Sequence, residues 1–209
     1  MTPKLSILTP TIPGREKQLE RLTDRLAAQI GDSPVEHLVL CDNKRRSIGG
    51  KRQALLDIAR GEYIAFADDD DTVAEGYVSS LLTAIEKGAD VITFEQRAVY
   101  NGLESKVVFG INNKDEAFAP GGTTLRAPWH VCAWRRDRVA DCQFAETNYG
   151  EDRIWAMQAR RRARTGYHID RLLHTYVHDA KTTAAPENVT RTRKRSVMRP
   201  VRVDTPASA

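Results

Sequence analysis

An α/β fold, built on a mainly parallel sheet of the nucleotide-binding type with helices on its faces, is what this sequence predicts. Short apolar runs at residues 5–8, 37–41 and 63–67 have the length of buried strands, and the stretches between them carry apolar residues at helical spacing. Strand, helix, strand, helix, strand makes two crossover units, which are right-handed and so build a parallel sheet. The third observation is chemical. The run Gly61-Glu62-Tyr63-Ile64-Ala65-Phe66-Ala67 passes directly into Asp68-Asp69-Asp70-Asp71, and ligands of open α/β sheets bind just beyond the carboxyl ends of the strands.

Taken in order, the first strand at residues 5–8 is closed by a loop, Thr9-Pro10-Thr11-Ile12-Pro13-Gly14. A helix follows over about residues 15–30, with Leu19, Leu22, Leu26 and Ile30 on one face, and Gly31 to Pro34 ends it. The second strand, 37–41, has Asp42-Asn43 at its carboxyl end. Ser47 is placed to cap the next helix, which carries Lys51, Arg52, Leu55, Leu56 and Ile58 into the central strand. After the Asp run a helix over about 73–87 leads through Gly88 to a strand at 90–94.

The second half is less regular. Residues 98–100 and 105–109 are expected to pair as a hairpin across Asn101-Gly102, the strongest two-residue turn signal. Residues 129–136 read as a strand or buried segment, with Trp134 assigned to the core. Glu151-Asp152 falls in the first turn of a helix that leaves through the arginines at 160–164, and final strand-like pieces cover 168–170 and 173–178.

At 209 residues, with 41% hydrophobic and 29% charged content, the chain has the profile of one soluble domain with a tail. No apolar stretch of about 18 residues occurs, and the N-terminus lacks the basic-then-apolar pattern of a signal peptide, so a cytoplasmic location is expected. Cys41, Cys132 and Cys142 show no metal-like spacing and read as free thiols. The sequon Asn188-Val189-Thr190 carries no weight without a secretion signal. The net charge of +4 is concentrated at the end: Arg191, Arg193, Lys194, Arg195, Arg199 and Arg202 face Asp204 alone. Residues 190–209 therefore read as a basic, disordered tail, either for solubility or for a polyanion, after one domain over 1–189. Within that domain the nucleotide half covers about 1–95 and the irregular half about 96–189.

Four adjacent carboxylates at a strand end repel one another, at a cost that a cation or a cation-bearing ligand would offset. The alternative is a solvated acidic turn in which Asp70, Asp71 or Thr72 caps the following helix. At Glu151-Asp152 the helix dipole favours a carboxylate that can point into a cleft. Neither the Gly-x-Gly-x-x-Gly turn nor the Walker glycine loop is present, which argues against NAD enzymes and P-loop ATPases.

In pieces from about residue 5 to about 183, the sequence resembles the family 2 glycosyltransferases of GT-A fold. The resemblance rests on Leu8-Thr9-Pro10-Thr11 with Arg15, on Asp42 ending the second strand, on Arg52-Gln53-Ala54-Leu55 before Ala59-Arg60-Gly61-Glu62-Tyr63-Ile64, on the Asp-x-Asp signature at Asp68-Asp69-Asp70, on Glu151-Asp152 with Trp155, and on Tyr176-Val177-His178. Gln53 and Leu55 depart from the family's Arg-Asn-x-Gly element. What the resemblance implies is an inverting transfer of a sugar from a nucleotide-sugar donor to an acceptor hydroxyl. Donor binding then falls to Pro10, Thr11, Arg15, Asp42, Arg52, Asp68 and Asp69. Mn2+ or Mg2+ falls to Asp70 with His178, since hard oxygen ligands suit such ions beside phosphates. Asp152 is the expected base, in keeping with the need for a partly desolvated carboxylate. Trp129, His130 and Glu151 are the expected acceptor site.

Small free-standing members resemble phage or bacterial enzymes, which would place the chain in a bacterial or host cytoplasm, acting on a soluble glycan or on a hydroxylated base in DNA. The arginine clusters suit DNA, whose phosphates dominate binding. Two other classes stay open: a nucleotide or nucleic-acid binding protein that has lost catalysis, and a sugar nucleotidyltransferase, which wants a glycine-rich basic loop that residues 9–15 do not supply.

Overall fold

In a computed structural model, residues 2–178 are described. The expected basic tail at 190–209, the sequon and the expected domain end at 189 lie outside the described residues. Strand β1 (Leu5–Thr11) is buried along its whole length and pairs in parallel with β2 (Val35–Cys41) on one side and β3 (Tyr63–Phe66) on the other. Burial on both faces explains why β1 and β3 read as near-continuous apolar runs rather than as an alternation. Helices α1 (Glu16–Ile30) and α2 (Ile48–Ile58) make the two crossovers, and Ser47 caps α2, its Oγ accepting from Gly50 N at 3.0 Å. The expected parallel α/β core is therefore present.

β1 runs three residues further than expected, taking in Thr9, Pro10 and Thr11. Their register partners on β2 are Val39, Leu40 and Cys41, and a proline that fixes φ without donating is tolerated at the end of a strand. The Asp run, likewise, does not cap a helix. Thr72–Val73 forms a short strand, β4, and helix α3 (Tyr77–Ile85) begins only after Gly76, the residue at its N-cap.

The remaining strands are β5 (Val91–Tyr100), β6 (Leu103–Phe109), β7 (Thr123–Arg126), β8 (Ala133–Arg135), which runs into the short helix α4 (Arg136–Val139), and β9 (Gly166–His178). β5 and β6 form the expected hairpin, with φ of 49° at Asn101 and 82° at Gly102, the left-handed pair that a tight two-residue turn requires. The sheet order is β2-β1-β3-β8-β5-β6-β7. β8 thus wedges antiparallel between β3 and β5, a long-range pairing that no local pattern announces. The two expected terminal pieces are one strand, β9, running parallel to β5 with an irregularity opposite Glu95.

Each face of the sheet carries its own core. α1 and α3 cover one with Leu22, Leu26, Tyr77, Val78 and Leu81, while α2 and α5 (Glu151–Arg162) cover the other around Leu55, Leu56, Trp134 and Trp155. Trp134 is fully buried, as expected, and its ring meets Trp155 edge-on at 5.7 Å. Phe144 stacks on Trp155 at 5.0 Å. These contacts fasten α5, and with it the Glu151-Asp152 pair, to the carboxyl-end side of the sheet.

Candidate functional site

The Asp run turns sharply just past β3, closed by Asp71 N donating to Asp68 O at 2.9 Å and Asp68 N donating to Asp71 Oδ2 at 3.0 Å. Its four carboxylates divide among three basic side chains, Arg15 serving two of them. Asp68 is held by Arg52 Nη2 at 2.8 Å. Asp69 is fully buried and accepts from Thr11 Oγ1 at 2.6 Å and from Arg15 Nη1 at 2.5 Å. Asp70 takes Arg15 Nη2 at 2.7 Å, and Asp71 meets His174 Nε2 at 3.0 Å. The protein's own cations thus absorb much of the repulsion that the sequence left to a ligand.

Compensation is uneven. Burial works against an ionised Asp68, yet the Arg52 guanidinium outweighs it and holds this carboxyl well below the usual range. Asp70 is pushed up to about 6, by burial first and then by the charges of Asp68 and Asp71. Asp68 Oδ1 and Asp71 Oδ1 are buried acceptors with no partner. Unsatisfied buried acceptors are costly, and hard anionic oxygens beside a raised Asp70 are a donor set that fits a divalent cation. Asp68 and Asp71, with Asp70 at their side, are the residues that would hold one.

Asp68 and Asp71 line a cavity of about 210 Å³. His130 and Asp152 line it too, and its remaining wall includes Tyr100, Phe118, Trp129 and Tyr176. His130 is buried and neither ring nitrogen has a hydrogen-bond partner; Nε2 lies 3.9 Å from Asp68 Oδ2 and Nδ1 3.8 Å from Asp152 Oδ2. Both distances exceed a hydrogen bond, so the imidazole stands between the two carboxylates without being paired to either. Glu151 sits behind, 3.4 Å from Arg52 Nε, its pKa raised by burial. Arg52 itself is buried over the Phe66 ring at 5.4 Å from its centroid.

Not every expected residue reaches the cavity. Asp42 lies at the end of β2, where its carboxylate accepts Lys44 N and Arg46 N and stands 3.5 Å from Lys51 Nζ. Lys51 in turn donates to Thr11 O, tying the ends of β1 and β2 together beside Pro10. His178 packs against Tyr100 at the hairpin end of β9, at 5.5 Å between ring centroids, and does not line the cavity. Among the described residues, the cluster of three metal-type ligands is Glu95, His168 and Asp170, away from the cavity lining, where Lys106 Nζ already pairs with Glu95 at 2.6 Å.

The sequence reading missed His174 and Gln96, fully or nearly buried and joined at 2.8 Å, as well as the aromatic wall of Tyr100 and Phe118. The available signal was alternation: His174 shares its strand face with Tyr176, two residues on.

With this geometry in place, similarity to known proteins becomes informative. Residues 37–144, from β2 through the loop before α5, match the family described as Glycosyl transferase family 2. The chain belongs to glycosyl transferase family 2. Its fold resembles that of S. aureus TarS. The crystal structure of TarS 1-349 in complex with UDP-GlcNAc superposes with a TM-score of 0.62 at 17% identity, covering 84% of this chain and 59% of that one. TarS 1-349 in complex with UDP gives 0.61 at 17% identity, covering 84% and 61%. The chain thus spans about three fifths of TarS 1-349, and 37% of a longer TarS chain. No curated protein matches the sequence. Among the described residues, no helix is long and apolar enough to cross a membrane.

Proposed function

We propose that this family member transfers a sugar from a nucleoside-diphosphate sugar to an acceptor hydroxyl, with Mn2+ or Mg2+ at the Asp run and inversion at the anomeric carbon. The observation that carries the reading is that Asp68 and Asp152 line one cavity, each within 4 Å of a different ring nitrogen of His130. The UDP-GlcNAc and the UDP bound in two TarS crystal structures support the donor class.

In this reading the nucleotide lies along the carboxyl ends of β1 and β2, near Pro10, Thr11, Arg15 and Asp42, and Arg52 and Asp68 meet the diphosphate end. Arg15, now spanning Asp69 and Asp70, releases Asp70 as the donor enters. A divalent cation there would neutralise the charge that grows on the departing diphosphate. Asp152 removes the proton of the acceptor hydroxyl. The new bond forms between that oxygen and the anomeric carbon as the bond to the diphosphate oxygen breaks, and the diphosphate keeps the electron pair. Glu151 supports Arg52, while Trp129 and His130 orient the acceptor. His178, seated against Tyr100, has an ordinary strand-end role.

Release of nucleoside diphosphate from a panel of sugar nucleotides, with Mn2+ and with chelator, is the test. Asp152→Asn and Asp70→Ala variants that keep the wild-type rate sink the assignment.

A further inference from the structure

Fully buried His174 has no role in the chemistry just described, yet it lies one hydrogen bond from the Asp run. Its strand β9 is held on both sides at this residue, opposite Gln96 of β5 and opposite Val73 of β4, and β4 begins directly after Asp71. Gln96 Nε2 lies 2.8 Å from His174 Nδ1, and His174 Nε2 lies 3.0 Å from Asp71 Oδ2. With Gln96 donating, Nδ1 accepts and the Nε2 proton points at Asp71. The same Oδ2 also takes the N–H of Asp68 at 3.0 Å. Two donors converge on one oxygen and leave Oδ1 as a buried acceptor without a partner, on a residue that lines the cavity.

We propose that His174 is a positioning residue: with Gln96 it fixes the Asp71 carboxylate so that its second oxygen is presented to the cavity beside Asp68. The inference rests on the function proposed above, since the group received there is the divalent cation that accompanies the donor. A residue serving only to fill the core needs no polar chain, because an apolar side chain of similar size fills the same space without the cost of burying polar atoms. Here both ring nitrogens of His174 are partnered, and the Asp71 oxygen that His174 does not hold is a buried acceptor left open. Supporting partners of this kind, one shell behind the ligand, set the orientation of the ligating group and typically cost tenfold or more in metal affinity when removed.

The experiment is an EPR titration of free Mn2+ with the full chain in the presence of UDP, a readout independent of transfer. His174→Leu is expected to weaken Mn2+ binding by about tenfold. His174→Gln, which returns an N–H toward Asp71, recovers most of the loss. In an Asp71→Asn background the His174→Leu change has no further effect, as expected of two residues acting through one contact. Should His174→Leu fail to fold, Gln96→Leu carries the same expectation. Wild-type Mn2+ affinity in a folded His174→Leu or Gln96→Leu variant, or additive losses in the double variant, overturns the inference while leaving the proposed function standing. A wild-type chain that binds no Mn2+ with UDP overturns both.

Discussion

Asp70 and Asp152 separate two uses of a carboxylate. Asp70 has a folded-state pKa of about 6, above the roughly 3.9 of an unperturbed aspartate. The folded protein therefore holds this proton more tightly than the unfolded chain does. The contribution of Asp70 to stability is greatest where it is protonated, falls as pH rises from about 4 through about 6, and stays lowered above that. Asp70→Asn removes the charge that burial and its neighbours disfavour. Its melting temperature is expected to exceed that of wild type by about 2–4 °C at pH 7.5, with the gap closing toward pH 4.5. The same variant loses Mn2+-dependent binding of nucleoside diphosphate, so thermal melts with and without Mn2+ and UDP give opposite rankings. Asp152→Asn is expected to leave the fold intact, because its carboxylate is 26% exposed and its ring neighbour His130 stands 3.8 Å off, beyond a hydrogen bond. Its kcat is expected to fall by about 100- to 10,000-fold, the contribution of a positioned base, with little change in donor affinity.

Between α2 and the loop before α5 the backbones approach so closely that only a glycine fits. A Cβ on Gly49 would stand 1.8 Å from Ala145 O, and Gly49 N donates to Thr147 O at 3.1 Å. Ile48 N is likewise satisfied by Asn148 Oδ1 at 3.0 Å. The loop at 145–150 is in this way moulded on the start of α2 and delivers Asp152 to the cavity, with Glu151 behind it. Gly49→Ala must push it away. The expected cost is about 1–3 kcal/mol in denaturant unfolding, together with a drop in kcat, since a base displaced by about an ångström can lose 100-fold. Ser47→Ala removes the α2 cap and costs about 1 kcal/mol in the same measurement. Because Arg52 is anchored in that helix, donor affinity is expected to weaken as well.

At the scale of the molecule, the two faces of one sheet share the load. Trp155 lies one turn beyond Glu151 on α5, fully buried against Phe144, Trp134 and Phe66. Trp155→Ala is expected to cost about 3–5 kcal/mol by chemical denaturation. The acceptor is decided at this scale too. A hydroxylated base in DNA predicts retention on duplex DNA that disappears as salt rises, since phosphate neutralisation dominates such binding. A soluble glycan predicts no such retention and saturation by free oligosaccharide. Comparing the full chain with one lacking residues 190–209 assigns any DNA retention to the tail or to the domain.

The sequence by itself determined the parallel half of the sheet, its helices, the Asn101-Gly102 hairpin and the Asp run at a strand's carboxyl end. Each of these is local: apolar spacing, cap chemistry and turn chemistry act within a few residues. It also carried the family, because ordered short motifs survive where overall identity does not. Tertiary structure alone decided that β8 enters antiparallel between β3 and β5, that Asp69 and Asp71 turn inward to Arg15 and His174, and that Asp152 and Asp68 line one cavity. Those outcomes depend on contacts between residues far apart in the chain, over 100 positions for Asp71 and His174. Local composition has no term for such pairings. Four adjacent aspartates are the same residue four times in sequence, and only the packing around them sends Asp68 to Arg52, Asp69 and Asp70 to Arg15, and Asp71 to His174.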